Sequence, residues 1–544
     1  MSEPHTIDPV VKACLERHEL MTRIRSDNDQ LFQELKAMIR PDTADFFGGK
    51  GSILESRRRI FDGTAPWASE QLASGLHSYN SSPVDRWFAL TAAGIPYDSL
   101  DFESRLWLEQ VSEIMYANFC DPTASLNPAL HEGYLDLAVF GTAVIFEWYD
   151  IGNRKLMFRS FPLADCWIDE ASDGTVNRLH RRIKWTVEQV EEEFGDLPPK
   201  LAKYRAEDRA KEEVTVFHCV YPNDDYTPGR RNRKGRRFSS CYICEETKEL
   251  CGEQGGYDWM PYHSPRWTKL AGEKYGRSPA LSVLPEVRMV NAMSKSIIMA
   301  AQKMVDPALQ IPDDGFLLPL RTQPGGLNFR RQGQEAIIPM PTAQRIDVGV
   351  DMIEQRREMI RRGFYVDWLV RPTKKERQTA QEIQDDRNQM LSMMGPIVGR
   401  LQAELLGPLV RLSYFLLDRH GQLPPPPESM AGLRMDVAYL SPAARAQATV
   451  RGQGMNMFVD RVIQLQPVMP TALDVIDEGA LLTDLADYFD VPRRVLASPA
   501  MVQQKQADRA QQMQAQQMLE AAPAAGAAAK DLAIAQEKGL NLGL

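Results

Sequence analysis

The feature that most constrains this chain is an alternation of helices and breakers between Ser278 and His420. Val287, Val290, Met293, Ile297, Ala301 and Met304 recur at three- and four-residue steps, which puts them on one helix face. The spacing predicts a helix over Pro285–Val305, roughly 30 Å long. It stops at Asp306, because a residue before proline avoids the α region. Residues 306–345 are punctuated by Pro, Gly and Asp and read as a small β or loop module. A second helix follows over Ile346–Arg362. Its acids Asp347, Asp351 and Glu354 come early and Arg356, Arg357, Arg361 and Arg362 late, which suits the helix dipole, and Gly363 is read as its stop. An aromatic and basic loop leads into a helix from about Lys375 to His420. Gly395-Pro396 and Gly407-Pro408 interrupt it, and the missing N–H groups predict two kinks.

Upstream, Asp8 to about Ile39 is read as helical on Val11, Leu15, Leu20, Ile24, Leu31, Leu35 and Met38. Further helices are read over Asp62–Tyr79 (with Asp62 or Thr64 as cap), Asp101–Phe119, Pro128–Phe140 and, capped by Thr186, up to Phe194. Between them "TAVIFEWY", "KLMFRSFP", "CWIDEA", "VNRLHRRIKWT" and "EVTVFHCVYP" read as short strands. The fold class is therefore α+β, mainly helical. After the long helix, "LPPPPES" marks a boundary. Ala443–Leu465 and Thr471–Phe489 look helical, and the Gln- and Ala-rich end from Met501 is a last helix or a tail.

Composition narrows the function. With 64 Lys+Arg against 73 Asp+Glu, the net charge is −9. A protein that grips DNA over its whole surface would be basic, so any contact with phosphates is local or weak. Seven Cys without framework spacing point to a reducing compartment. The longest apolar run, Leu137–Phe146, is about half of the ~20 residues a membrane span needs. The first residues lack a signal-peptide pattern, so the expectation is synthesis in the cytosol without export.

Motifs for chemistry are sparse. "DFFGGKGS" resembles a phosphate loop, but Ala44 stands where the first Gly belongs and Gly51 where Ser or Thr belongs, so it reads as a connector. Cys241, Cys244, Cys251 and His263 include four zinc-type donors, yet a strong signal would show two paired knuckles, and "FSSCYICEE" also reads as an ordinary strand. No metal, cofactor or catalytic residue is expected. "DGTVNR" and "PDDG" are explained by turns. The hairpin from Glu213 to Cys251 carries a basic tip of Arg230, Arg231, Arg233, Lys234, Arg236 and Arg237. It reads either as a contact loop for DNA, scaffold or capsid, or as a solvated loop.

The order of helix, insert, helix, loop and kinked helix resembles the portal proteins of tailed bacteriophages. The wording resembles the short-tailed, T7-like head-to-tail connectors in "IFDGTAPWASEQLASGLHSYNSSPVDRWFAL", "VFGTAVIFEW", "EKYGRSPALSVLPEVRMVNAMSKSIIMAAQKMVDP" and "ERQTAQEI". The resemblance covers roughly the first 500 residues.

That resemblance implies a homo-oligomeric ring of about twelve copies around a channel for double-stranded DNA. It implies a virion component at the capsid portal vertex, made in the host bacterial cytoplasm, without catalysis or a membrane. Partners would be the terminase large subunit, which supplies the motor, with scaffold, major capsid protein and a tail adaptor. Residues 1–280 would form the wing, 281–305 and 346–362 the stem helices, 306–345 the clip and 363–374 the tunnel loop. Residues 375–420 would be a long kinked wing helix, 421–500 the crown, and 501–544 a barrel helix or tail. The channel set would be Arg362, Phe364, Tyr365, Trp368, Leu369, Arg371, Lys374 and Lys375. The clip docking set would be Asp313, Asp314, Arg321, Arg330 and Arg331. The aromatic members of the channel set are more apolar than a free loop should be, so they pack on a neighbouring subunit or close the channel. The alternative is another ring-forming head–tail or tail protein without the packaging role.

Overall fold

A computed structural model describes residues 8–47, 57–95, 99–310, 346–369, 394–440 and 454–464, with 327, 329, 338–339 and short pieces between 479 and 513. These fall into two units, residues 1–87 with 115–422 and residues 88–114 with 423–544. In chain order the helices are α1 (Pro9–Met38), α2 (Thr64–Asn80), α3 (Phe102–Cys120), α4 (Leu126–Phe140), α5 (Val187–Phe194), α6 (Pro199–Ala206), α7 (Pro279–Val305), α8 (Ile346–Gly363), α9 (Val366–Leu369) and α10 (Gly407–Arg419). The strands are β1 (Phe88–Ala92), β2 (Ile145–Asp150), β3 (Lys155–Ser160), β4 (Cys166–Glu170), β5 (Val176–Thr186), β6 (Glu213–Pro222), β7 (Phe238–Cys244), β8 (Glu249–Leu250), β9 (Gly255–Tyr257), β10 (Tyr262–His263), β11 (Leu309–Gln310), β12 (Ile338–Pro339) and β13 (Met435–Tyr439). The α+β reading holds.

In the first unit, β4-β5-β6-β7-β8 form one antiparallel sheet, with β9 also paired to β7, and β10-β2-β3 form a second. Alternation along the strands gives the larger sheet two apolar faces. One face packs Trp167, Phe217, Cys219, Cys241 and Ile243 against Val11, Cys14 and Met21 of α1. The other packs Val214, Val216 and Cys244 with Val187 and Val190 of α5 and Leu201 of α6. Helix α5 starts with a reciprocal capping box between Thr186 and Gln189. Helix α1 starts at Asp8, whose carboxylate accepts the Val10 N–H at 2.8 Å.

The α1 face differs from the expected one. Leu20 and Leu31 are exposed, and the buried line runs through Val11, Cys14, Met21, Arg25, Phe32 and Leu35. Arg25 is 1% exposed. Its guanidinium donates to the carbonyls of Leu163, Ala164 and Cys166 and lies 4.0 Å over the Trp167 ring. The Asp29 carboxylate, 2.8 Å from the Arg25 Nε, the backbone acceptors and an aromatic face compensate the buried charge, so a cation holds the middle of a core face.

Helix α7 starts six residues earlier than the apolar stripe suggests. The Ser278 hydroxyl accepts the Leu281 N–H at 3.0 Å and Pro279 opens the first turn, while Pro285 lies inside the helix. The kink expected at Gly407-Pro408 takes the form of a π-helical turn over Gln402–Leu406. It follows a helical stretch over 394–401, which contains Pro396. Residues 375–393 and 48–56, which include all but the first three residues of the phosphate-loop-like stretch 45–52, lie outside the described residues, as does most of the insert. The insert begins and ends as a two-residue antiparallel ladder, Leu309↔Pro339 and Gln310↔Ile338.

In the second unit, β1 pairs antiparallel with β13, Phe88 opposite Tyr439. Ser104 and Ser429 hydroxyls meet at 2.7 Å, and the Trp107 indole N–H donates to the Pro424 carbonyl at 3.0 Å.

Candidate functional site

Three of the four stretches that carry the resemblance meet at the α7–α8 hairpin; the fourth, 376–383, lies outside the described residues. Gly141 and Gly276, from two of those stretches, touch backbone to backbone. A Cβ on Gly276 would lie 2.1 Å from the Gly141 carbonyl oxygen, and Gly141 has φ 77°. Only glycine permits that approach. The Gly276 N–H then donates to the Thr142 hydroxyl at 2.8 Å, and α7 begins three residues on. The third stretch docks on the hairpin itself. Asn291 of α7 accepts the Phe61 N–H at 2.7 Å and donates to the Arg59 carbonyl at 3.0 Å. Arg357 of α8 forks onto Asp62 at 2.9 and 2.7 Å. Burial alone would raise the Asp62 pKa, but the Thr64 and Arg357 donors outweigh it and hold the carboxyl below its usual range.

A buried clasp ties the base of the hairpin to the late helix. Arg266, 2% exposed, places its backbone N–H and guanidinium on Glu404 at 2.9, 3.1 and 2.8 Å. It also bonds Glu170 and the Gly174 carbonyl. Glu404 lies within the π-helical turn.

Beyond its base the hairpin stops being covered. On α7, Val283, Leu284, Val287, Val290 and Ser294 are buried, and no residue after Ser294 is. Of the expected stripe, Met293 and Ile297 are half-buried and Ala301 and Met304 are exposed. Ile298, Met299, Met304 and Val305 on α7, with Val350 and Met352 on α8, are exposed large apolar side chains in this part; Met289 and Met359, nearer the base, are half exposed. Covering what is still exposed would add about half of the roughly 1.5–3 kcal/mol that full burial of such a side chain brings. A helix pair left this bare at one end is built to meet another surface.

The residues expected to line a channel divide. Arg362 is exposed and pairs with Glu358 at 2.6 Å and Asp367 at 3.7 Å. Exposed pairs of this kind hold only ~0.3–0.5 kcal/mol, so they would not keep Arg362 from a phosphate. Phe364 is 0% exposed. It is a core residue of its own chain, so the expectation that it packs on a neighbour or closes a channel does not fit its position. Gly363 does not end the helix by left-handed geometry; Tyr365 makes the turn, at φ 58°. Glycine is needed at 363 because a Cβ there would lie 2.1 Å from Val283 Cγ1. Tyr365 lies 6.0 Å from Trp267, ring centre to ring centre. Trp368 and Leu369 belong to α9 by their backbone. Arg371, Lys374 and Lys375, and the docking set Asp313, Asp314, Arg321, Arg330 and Arg331, lie outside the described residues.

The basic tip between β6 and β7 is folded on itself. Asn223 donates to the carbonyls of Arg233 and Arg236. Arg236 pairs with Asp258, and Arg237 lies over the Trp259 ring. Arg230, Arg231, Arg233, Lys234 and Arg237 are exposed, so five of the six charges are presented and Arg236 is tied down. The zinc-type reading of Cys241, Cys244, Cys251 and His263 does not hold. Cys241 and Cys244 are three apart on one strand and face opposite sides of the sheet, Cys241 toward α1 and Cys244 with Cys251 toward α5.

One buried trio has the residue types of a hydrolase. Ser413 donates to Glu147 at 2.6 Å, and His263 Nε2 lies 2.9 Å from the other oxygen of that carboxylate. The carboxylate stands between the other two, so the imidazole has no hold on the hydroxyl proton. Burial pushes Glu147 up, and the trio works as an internal tie.

Among the described residues, no helix is long and apolar enough to cross a membrane. Residues 11–496 match the family model described as bacteriophage head to tail connecting protein. The probable portal protein of Bordetella phage BPP-1 is 29% identical over 504 residues, 89% of this chain and 88% of its own. The portal protein of Salmonella phage epsilon15 is 27% identical over 516 residues, 91% of this chain and 92% of its own. A solved structure of the neck of an empty GTA particle matches 74% of this chain and 89% of its own at 10% identity, with a TM-score of 0.37, too low to argue from.

Proposed function

Because the chain belongs to the family of bacteriophage head to tail connecting proteins, we propose that its copies form the portal ring at one capsid vertex and that double-stranded DNA passes through the centre. The observation that carries this is the α7–α8 hairpin, finished at its base and bare of cover along its outer half. In a ring each subunit offers that bare flank to the next, and rotational symmetry turns one residue per chain into a belt. We take the copy number as about twelve.

The channel role falls to α8, α9 and the residues that follow. Net −9 per chain makes the assembly acidic, and an acidic wall does not hold phosphates, which suits a duplex that must slide. Arg362, Arg371, Lys374 and Lys375 then form local basic belts that centre or retain DNA. The insert 306–345, with Asp313, Asp314, Arg321, Arg330 and Arg331, docks the terminase large subunit during packaging and a tail adaptor afterwards. The presented tip, Arg230, Arg231, Arg233, Lys234 and Arg237, faces scaffold or major capsid protein. The role is structural; terminase supplies the motor.

The test removes charge without touching the core. Rings of Arg371→Glu/Lys374→Glu protein should assemble normally by electron microscopy and lose packaged DNA in a packaging and retention assay. Normal retention would remove these residues from the channel. A deletion should begin at residue 370, because Phe364 belongs to the fold.

A further inference from the structure

A second cluster of reactive side chains lies far from the hairpin, between α1 and the large sheet. Cys14, Cys219 and Cys241 bring three sulfurs within 4.8 Å of one another, and all three residues are buried. Cys14 and Cys241 sulfurs are 3.7 Å apart. The sheet builds this by register. Trp167, His180, Cys219 and Cys241 are successive cross-strand partners on β4, β5, β6 and β7, so they form one row across the face that α1 covers.

The row contains an anomaly. His180 is 0% exposed, and neither ring nitrogen has a hydrogen-bond partner. A neutral imidazole has one donor and one acceptor to satisfy, and leaving both unmet in a core is costly. His18 repeats the pattern. It stands one helical turn after Cys14 on α1, stacks on His180 with ring centres 5.7 Å apart, and has its buried Nδ1 unpartnered. Three thiols beside an unsatisfied imidazole make the donor set of a Cys3His site.

We propose that Cys14, Cys219 and Cys241, with His180 as fourth donor, bind one thiophilic divalent cation of the zinc type and so pin α1 to the sheet. Cross-strand neighbours have Cβ atoms about 4.5–5.5 Å apart, so His180 reaches a cation held by Cys219 through rotation about its side-chain bonds. Binding forms three metal–sulfur bonds and one metal–nitrogen bond, and it releases to solvent the protons the thiols still carry.

The experiment is metal analysis of the purified full-length protein from zinc-supplemented culture, followed by replacement with cobalt and ultraviolet–visible spectroscopy. One equivalent per subunit is expected, with thiolate-to-cobalt charge-transfer bands and tetrahedral intensity. Cys14→Ser and Cys241→Ser should abolish stoichiometric binding. His180→Asn should weaken affinity roughly 10–100-fold while keeping the thiolate bands. Cys244→Ser, on the opposite face, should change nothing. Where a variant does not fold, the parent protein decides alone. A metal-free protein that also fails to take cobalt under reducing conditions overturns the proposal, as does a Cys14–Cys241 disulfide found by mass spectrometry.

Discussion

Where α1 meets the large sheet, even charged and titratable groups are buried and mostly partnered; along the outer half of α7, even methionines stand in solvent. Arg25 sits in the first region with three carbonyl acceptors and an aromatic face. Met299 and Met304 sit in the second, 48% and 53% exposed. A single chain completes the sheet region. It leaves the hairpin incomplete in the way a surface is left when a second copy supplies the rest. The base of the hairpin is held by the clasp of Arg266 on Glu404 and Glu170, and α8 by the pair of Arg357 with Asp62.

The largest test of that contrast breaks the finished side. Arg266→Met removes the shared cation from Glu404 and Glu170, leaving them only Arg400 and Lys269, and should cost ~1.5–3 kcal/mol, seen as a fall in chemical-denaturation stability. A loss below about 1 kcal/mol would mean that the clasp is incidental. Next comes the unfinished side. Ile298→Glu with Met304→Glu should convert rings to single subunits in analytical ultracentrifugation while leaving subunit stability within ~0.5 kcal/mol, because neither side chain is buried in the chain. Intact rings would move the subunit contact elsewhere.

A smaller effect is expected at the base. Gly363→Ala drives a methyl into Val283 and should cost ~1–3 kcal/mol by thermal melting; a neutral result would show that α7 and α8 shift freely. The smallest is a pH effect at Asp62. Its folded pKa is depressed, so its stabilisation is complete above the ordinary carboxylate pKa near 4 and is lost as pH falls through the lower folded value. Asp62→Asn should cost about 1 kcal/mol at neutral pH and flatten stability below pH ~4. An unchanged acid profile would remove Asp62 from the hairpin's support.

Local signals made much of this legible beforehand. Strand alternation located β2 to β6, apolar spacing located α1, and the Thr186 cap located α5. What failed was long-range or polar. Strands β1 and β13 pair from opposite ends of the chain, and no local pattern links Phe88 to Tyr439. The α1 face was misread because Cys14 and Arg25 occupy buried positions that a search for leucines passes over. The stripe on α7 was legible, but its exposure was not, since periodicity shows a face and not what covers it. Cys241 was read with Cys244 through sequence spacing, whereas strand geometry joins it to Cys219 and Cys14. Arg266 and Glu404 gave no signal, being 138 residues apart.

The most direct measurement of the central claim is native mass spectrometry of the purified full-length protein beside the Ile298→Glu/Met304→Glu variant. The account predicts one closed assembly of about twelve subunits for the parent and single subunits for the variant. A parent protein that stays monomeric across the concentration range, or a variant that assembles as the parent does, would contradict it.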